Sequence, residues 1–362
     1  MAREQILKVN PYQPGKPIEE VKRELGLSQV IKLASNENNL GPSPKAVAAV
    51  KTAAEQINRY PDGGCFYLKQ KLSEKLGVNP SNLILGNGSD EVIIFCLRAF
   101  IDPGDEIVIA RPTFLVYNIS GVVSGAEVVQ IPMKDFRYDL KAMKEAIGLK
   151  TKAVFIANPD NPVGCYVTKS ELDDFFDKLK DDVIVFIDEA YFEFAQDLDD
   201  YPDTLNYLNR KNIIITRTFS KAYGLSGLRV GYGIATEAMI DCLNRVREPF
   251  NVNSLAQAAA LAALDDHEYL NKSIQMVAEG KDYLYAEFKK LGLKYLKSAA
   301  NFIIVDLETD ANHVFDQMLE QGLIIRDMGV WGLKTFIRVT IGRPEENKKF
   351  IEILKKILKT ES

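Results

Sequence analysis

Val183-Ile184-Val185-Phe186-Ile187-Asp188-Glu189-Ala190-Tyr191 runs through apolar residues without a polar interruption and then meets two carboxylates. A strand with one face in water alternates apolar and polar residues. A central strand covered by helices on both faces does not, and such unbroken runs are the habit of a mostly parallel sheet. Ala153-Val154-Phe155-Ile156-Ala157 and Ile213-Ile214-Ile215 share this character, and Leu83-Ile84-Leu85, Glu106 to Ala110 and Glu127 to Ile131 read as further strands. Helical segments alternate with them: one with Pro44 near its first turn, one from Ser89 through Phe100, and one opened by the capping box Thr168-Lys169-Ser170-Glu171. The alternation predicts an α/β fold, in which ligands gather at the carboxyl ends of the strands.

The flanks differ from this centre. Asn10-Pro11-Tyr12-Gln13-Pro14-Gly15-Lys16-Pro17 is too rich in proline for regular structure and predicts an extended arm, followed by a short helix from Ile18 to Leu25. Past Pro249 come an alanine-rich helix, Ser254 to Leu264, and a long amphipathic one, Asn271 to Leu291. Strands Phe302 to Leu307 and Phe336 to Ile341 then flank another helix. The expected division is an arm and helix over 1–30, a large domain over 31–249 and a small α+β domain over 250–362. At 362 residues the chain is long enough for more than one core, and 46% hydrophobic with 26% charged residues is an ordinary globular composition. A net charge of −5 gives no general attraction to nucleic acid or to an anionic membrane, so a phosphate site has to be local. Cys65, Cys96, Cys165 and Cys242 lie far apart, which suggests buried thiols in a reducing compartment rather than a disulfide framework or zinc site. With no apolar leader at the N-terminus, a cytoplasmic enzyme that engages neither membrane nor nucleic acid is expected.

Chemistry-bearing residues cluster at the predicted strand ends. Arg217-Thr218-Phe219-Ser220-Lys221-Ala222-Tyr223-Gly224 follows a buried strand, and Arg229 lies just beyond. An amine emerging there beside hydroxyls and a guanidinium suits an aldehyde cofactor with a phosphate, which is how a protein would hold pyridoxal phosphate; the bland alternative is a solvated lysine. Asp188 is costly to bury unless it meets a cation, such as a protonated pyridine nitrogen. It also reads as a helix N-cap, or as a Walker B aspartate, although the G-x-x-x-x-G-K-[ST] that the last requires is nowhere upstream. Tyr191 could reach a ring hydroxyl or serve only in packing. Asn158-Pro159-Asp160-Asn161-Pro162-Val163-Gly164 fixes a rigid turn from which the Asn161 amide could donate to a phenolate oxygen. Gly86-Asn87-Gly88-Ser89-Asp90-Glu91 joins strand to helix and offers an anion site, or merely an N-cap at Ser89. Because Glu91 occupies the third position of a G-x-G-x-x-G, a dinucleotide fold is disfavoured. Phe114 and Tyr117 are candidates for an aromatic plate. Arg326 and Arg338 lie in apolar strand patterns, where an arginine faces either solvent or an anion. His267 and His313 fall outside every motif, so no metal site or Ser-His-Asp triad can be built.

In this order the segments resemble, nearly end to end, the fold-type-I pyridoxal-phosphate aminotransferases of class II, and within them look most like the histidinol-phosphate aminotransferases. The resemblance also rests on Lys32-Leu33-Ala34-Ser35-Asn36-Glu37-Asn38, Arg59-Tyr60-Pro61-Asp62-Gly63, Arg229-Val230-Gly231-Tyr232 and Ile337-Arg338-Val339-Thr340-Ile341-Gly342. It implies a large domain with a mostly parallel seven-stranded sheet between helices, a smaller C-terminal domain and an N-terminal arm. It makes Lys221 the Schiff-base lysine and proton carrier, its amine kept neutral by desolvation and by Arg229. Asp188 would pair with the pyridine nitrogen, Asn161 and Tyr191 with the ring oxygen, and Ser89, Asp90, Thr218, Ser220 and Arg229 with the phosphate end of pyridoxal 5'-phosphate. Tyr60 would reach the neighbouring subunit's site, so a homodimer with shared active sites is implied. Arg338 matches the residue that holds the glutamate carboxylate, Arg326 with Tyr12 the pair that receives a phosphate or distal carboxylate, and Asn36 another substrate contact. The implied reaction exchanges an amino group between histidinol phosphate and 2-oxoglutarate; an aromatic amino-acid aminotransferase is the alternative, with a phosphothreonine decarboxylase or a non-catalytic cofactor-binding module behind it. The chain departs from the usual pattern at Asp160 and Val163, where asparagine and threonine are commoner, and at Asn38-Asn39-Leu40.

Overall fold

A computed structural model describes residues 2–360. The arm is extended from Val9 to Pro17 apart from a preceding 3₁₀ turn, Glu4–Lys8, and the short helix Ile18–Leu25 follows as expected. Strand β1 (Ile31–Lys32) comes next. The large sheet then takes β2 (Leu83–Gly86), β3 (Glu106–Arg111), β4 (Glu127–Pro132), β5 (Thr151–Ala157), β6 (Ile184–Asp188), β7 (Ile213–Thr218) and β8 (Gly231–Ala235). Its seven strands lie in the order β2-β8-β7-β6-β5-β3-β4, and only β8 runs against its neighbours. Ile213, Ile214 and Ile215 are all 0% exposed, which is what an apolar run without alternation requires. Burial of each such side chain stabilises by about 1.5–3 kcal/mol.

Strand β8 is the member that its own sequence hides. Gly231-Tyr232-Gly233-Ile234-Ala235 carries two glycines, which normally weaken a strand. Here they are forced by the helix Ser89–Phe100 lying close on the sheet: a Cβ on Gly231 would sit 2.4 Å from the backbone nitrogen of Ser89, and one on Gly233 would sit 2.7 Å from Val92.

The small domain follows with β9 (Lys294–Tyr295), β10 (Phe302–Asp306), β11 (Leu323–Ile324), β12 (Arg326–Asp327) and β13 (Phe336–Thr340). Its sheet has the order β12-β13-β10-β9, packed against the helices His267–Lys290, Ala311–Glu320 and Pro344–Thr360. The packing shifts the expected division at two places. Strand β1 pairs in parallel with β11, and Leu33 is buried in the small domain's core, so the chain visits that domain before it enters the large one. The helix Ser254–Leu264 packs instead within the large domain's core, because its alanines present a flat face to the helix Pro44–Ala53. A proline at 249 interrupts the chain without marking where the cores separate.

Candidate active site

The carboxyl ends of the parallel strands open into a cavity of about 390 Å³, closed above by the arm and the small domain. Lys221 stands three residues beyond β7. Its Nζ donates to the Ser35 carbonyl at 3.4 Å and lies 5.7 Å from the centre of the Tyr191 ring. Burial pulls its pKa down to about 8; Arg338 is the next contributor, and Arg229, the expected one, is smaller. Both causes expected from the sequence act in the expected direction, and Arg338 adds to them; Arg229 is also paired with Asp90.

Strand β6 ends on Asp188, which is 5% exposed. The Tyr117 hydroxyl donates to its Oδ2 at 2.7 Å and the Thr216 hydroxyl to its Oδ1 at 3.2 Å. Burial raises this carboxyl to about 6, and it forms no ion pair among the described residues. A carboxylate held so, mostly ionised at neutral pH without a counter-charge, is prepared for a cation from outside the chain. Tyr117 and Phe114, set edge-on at 5.5 Å, both line the cavity; Tyr117 is fully buried with its hydroxyl committed to Asp188, whereas Phe114 is partly exposed.

One end of the cavity is an anion cradle. The helix Ser89–Phe100 begins there after Gly88, and Ser220 and Arg229 face its first turn, with Thr218 beside them. Arg229 donates to the Ser220 hydroxyl at 3.4 Å and to Asp90 Oδ2 at 3.2 Å. Gly88 has φ +84, and a Cβ there would lie 2.5 Å from Arg229 Nη2, so only glycine lets the guanidinium approach the helix end.

At the other end stand two arginines. Arg326 is 9% exposed and donates to the Gln13 carbonyl of the arm at 3.0 Å. Arg338 is 6% exposed, donates to Asn161 Oδ1 and to the Ala34 carbonyl, and keeps a buried Nε without a partner. Burial, reinforced by the neighbouring Arg326, lowers its pKa to about 10. Neither arginine forms an ion pair among the described residues. Tyr12 closes this end from the arm. Asn36, held through Thr340 of β13, donates its amide to the Tyr191 hydroxyl at 2.9 Å.

Every candidate residue from the sequence borders this cavity except Tyr60. That side chain is 83% exposed and stacks on Phe250 at 4.7 Å, away from the cavity of its own chain. Three participants escaped sequence reasoning in their actual parts. Thr216 and Tyr117 orient Asp188, and Trp331 packs beside both arginines. The strand pattern signalled Thr216, whose hydroxyl interrupts an isoleucine run; Trp331 is marked only as the sole tryptophan.

The model of the family described as "Aminotransferase class I and II" matches residues 28–354. Among curated relatives, the chain is 52% identical to the histidinol-phosphate aminotransferase of Moorella thermoacetica over 98% of this chain and 92% of that one. It is 49% identical to histidinol-phosphate aminotransferase 2 of Carboxydothermus hydrogenoformans, over 99% of each. Among solved structures, the histidinol-phosphate aminotransferase of Sinorhizobium meliloti in complex with pyridoxal-5'-phosphate superposes with a TM-score of 0.92 at 29% identity, covering 99% of this chain and 98% of that one.

Proposed function

This chain belongs to the class I and II aminotransferase family, and from that premise we propose that it exchanges the amino group between L-histidinol phosphate plus 2-oxoglutarate and imidazole acetol phosphate plus L-glutamate, using pyridoxal 5'-phosphate. The observation that carries the reading is the pair Arg326 and Arg338, buried with no carboxylate ion-paired to either among the described residues, in the same cavity as a lysine whose pKa is pulled down to about 8. Histidinol phosphate brings a phosphate, and glutamate brings two carboxylates, to one such anion pocket.

The residues fit the cofactor. Asp188 forms no ion pair among the described residues and would meet a protonated pyridine nitrogen, and the cradle of Ser89, Ser220 and Arg229 has the donors and the glycine-cleared space for a phosphate. Phe114 is the ring free to stack, and Asn161 and Tyr191 would face the ring oxygen. Once bound, the cofactor supplies an electron sink for the pair released when a substrate C–H bond breaks. Lys221 Nζ, substantially neutral near pH 8, takes the proton from the α carbon of the donor and later gives one back. Arg338 fixes the α-carboxylate of glutamate with its planar fork, while Arg326 and Tyr12 receive the phosphate or distal carboxylate. Asn36 holds Tyr191 in place. The arm and small domain keep bulk water from the proton in transit.

We further propose a homodimer, in which Tyr60 completes the phosphate end of the partner subunit's site. Tyr60, Phe66 and Tyr67 are 83%, 58% and 74% exposed, an apolar display that a second copy would cover. No helix of the described residues is long and apolar enough to cross a membrane. A cytoplasmic location is part of the proposal and rests on the biosynthetic role of the relatives. A substrate panel tests the activity: with 2-oxoglutarate as acceptor, histidinol phosphate should exceed phenylalanine and tyrosine in kcat/KM by at least about tenfold. Preference for the aromatic amino acids would transfer the assignment to that activity, and loss of carbon dioxide would sink both.

A further inference from the structure

The loop between the two strands that carry the arginines holds the chain's single tryptophan. Arg326 and Arg338 are direct register partners across β12 and β13, so two guanidiniums stand side by side on one hairpin, where like charges repel. Trp331 lies 5.5 Å from the Arg326 guanidinium and 5.7 Å from that of Arg338, measured to the ring centre. Both distances are within reach of a cation–π attraction. The indole N–H donates to the Thr113 carbonyl at 3.0 Å, across the gap between the domains and beside Phe114. Thr113 in turn donates to Asp160, the residue before Asn161. One side chain thus touches both arginines of the small domain and the backbone of the large-domain loop that bears the aromatic plate.

We propose that Trp331 is a positioning residue for substrate: its ring face holds the two anion-binding guanidiniums, and its N–H sets their distance from the loop of Phe114. The inference rests on Arg326 and Arg338 being the anion pair of the proposed reaction. A ring face suits this task better than a carboxylate. It attracts both cations without neutralising them, so each keeps its N–H groups for the incoming anion.

Trp331 is the only indole emitter, which gives a readout independent of turnover. Cofactor-free protein titrated with 2-oxoglutarate should show a saturable change in tryptophan emission, and Arg326→Ala should abolish it. In the cofactor-loaded enzyme, Trp331→Leu should raise KM for both histidinol phosphate and 2-oxoglutarate roughly three- to thirtyfold, with kcat changed less than about threefold. Trp331→Phe, which keeps a ring face, should recover most of that loss. Unchanged KM in Trp331→Leu beside a raised KM in Arg326→Ala would overturn the inference and leave the anion pocket standing. Unchanged KM in both Arg326→Ala and Arg338→Ala would overturn the pocket itself. If Trp331→Leu fails to fold, an emission indifferent to saturating 2-oxoglutarate decides against the proposal on the wild-type chain alone.

Discussion

The phosphate cradle and the arginine pair sit in one cavity, but the chain builds them in different ways. In the cradle, Arg229 meets Ser220 at a separation of 9 residues and Asp90 at 139, all on loops or a helix start at the edge of a single sheet. At the other end, Arg338 reaches Ala34 across 304 residues and Arg326 reaches Gln13 across 313, which joins the small domain to the arm. The cradle is therefore fixed once the large sheet is formed, whereas the arginine end exists only while both domains and the arm are docked. An invariant phosphate suits the first construction. Substrates that alternate between a phosphate and a carboxylate suit the second.

Both ends share one cavity with Lys221. Replacing Lys221 by Ala should lower kcat by about 10⁴-fold or more and remove the visible absorbance band of cofactor-treated protein, with far-ultraviolet circular dichroism unchanged. A variant that keeps the band would remove Lys221 from the chemistry.

The two ends should separate under mutation. Arg338→Ala is expected to raise KM for glutamate on the order of a hundredfold while cofactor affinity moves little, and Gly88→Ala the reverse, weakening the cofactor roughly tenfold through displacement of Arg229. Equilibrium dialysis of cofactor beside steady-state kinetics would show whether the effects cross over.

A smaller effect concerns the lysine itself. In cofactor-free protein, the reactivity of Lys221 toward an amine-directed reagent should rise with pH and level off above about 8, because only the neutral amine reacts. Removing Arg338 takes away a positive neighbour and should move that inflection upward, and Arg229→Ala should move it less. An equal or larger shift in the Arg229 variant would contradict the assignment of causes.

The smallest expected change is at Asp160, which is fully buried with its pKa raised by burial to about 7. Thr113 and Tyr138 donate to it, and it forms no ion pair among the described residues. A carboxyl whose pKa is higher in the folded chain favours folding when protonated. That contribution is complete below the unfolded value near 4 and is lost as pH rises to about 7. Asp160→Asn should therefore gain stability relative to the parent across that window, by on the order of 1–3 kcal/mol above it. A pH-independent difference in urea midpoints would show that the carboxyl does not titrate there.

Legibility in the sequence follows the same division. Lys221, Asp188 and the cradle could be read because each follows directly on a recognisable buried strand, and the strand's end fixes where the side chain emerges. Strand β8 could not, since its glycines answer to the helix Ser89–Phe100 that approaches it and not to any local preference. The arginines were legible as anomalies in apolar strands, but their lack of carboxylate partners is a property of distant segments. The part played by Trp331 was out of reach, because an indole beside two cations depends on the β12–β13 register. The boundary expected at Pro249 shows the limit of punctuation: which core takes the helix Ser254–Leu264 is settled by its alanine face.

A nascent chain leaving the ribosome delivers Ile31 and Lys32 long before their partners Leu323 and Ile324. Until Leu323 is made, that segment waits with unmet backbone groups, and Leu33 waits without its burial site. A segment made well before its partner is thus secured only late. A chain truncated before Leu323 would leave β1 available to pair with another molecule.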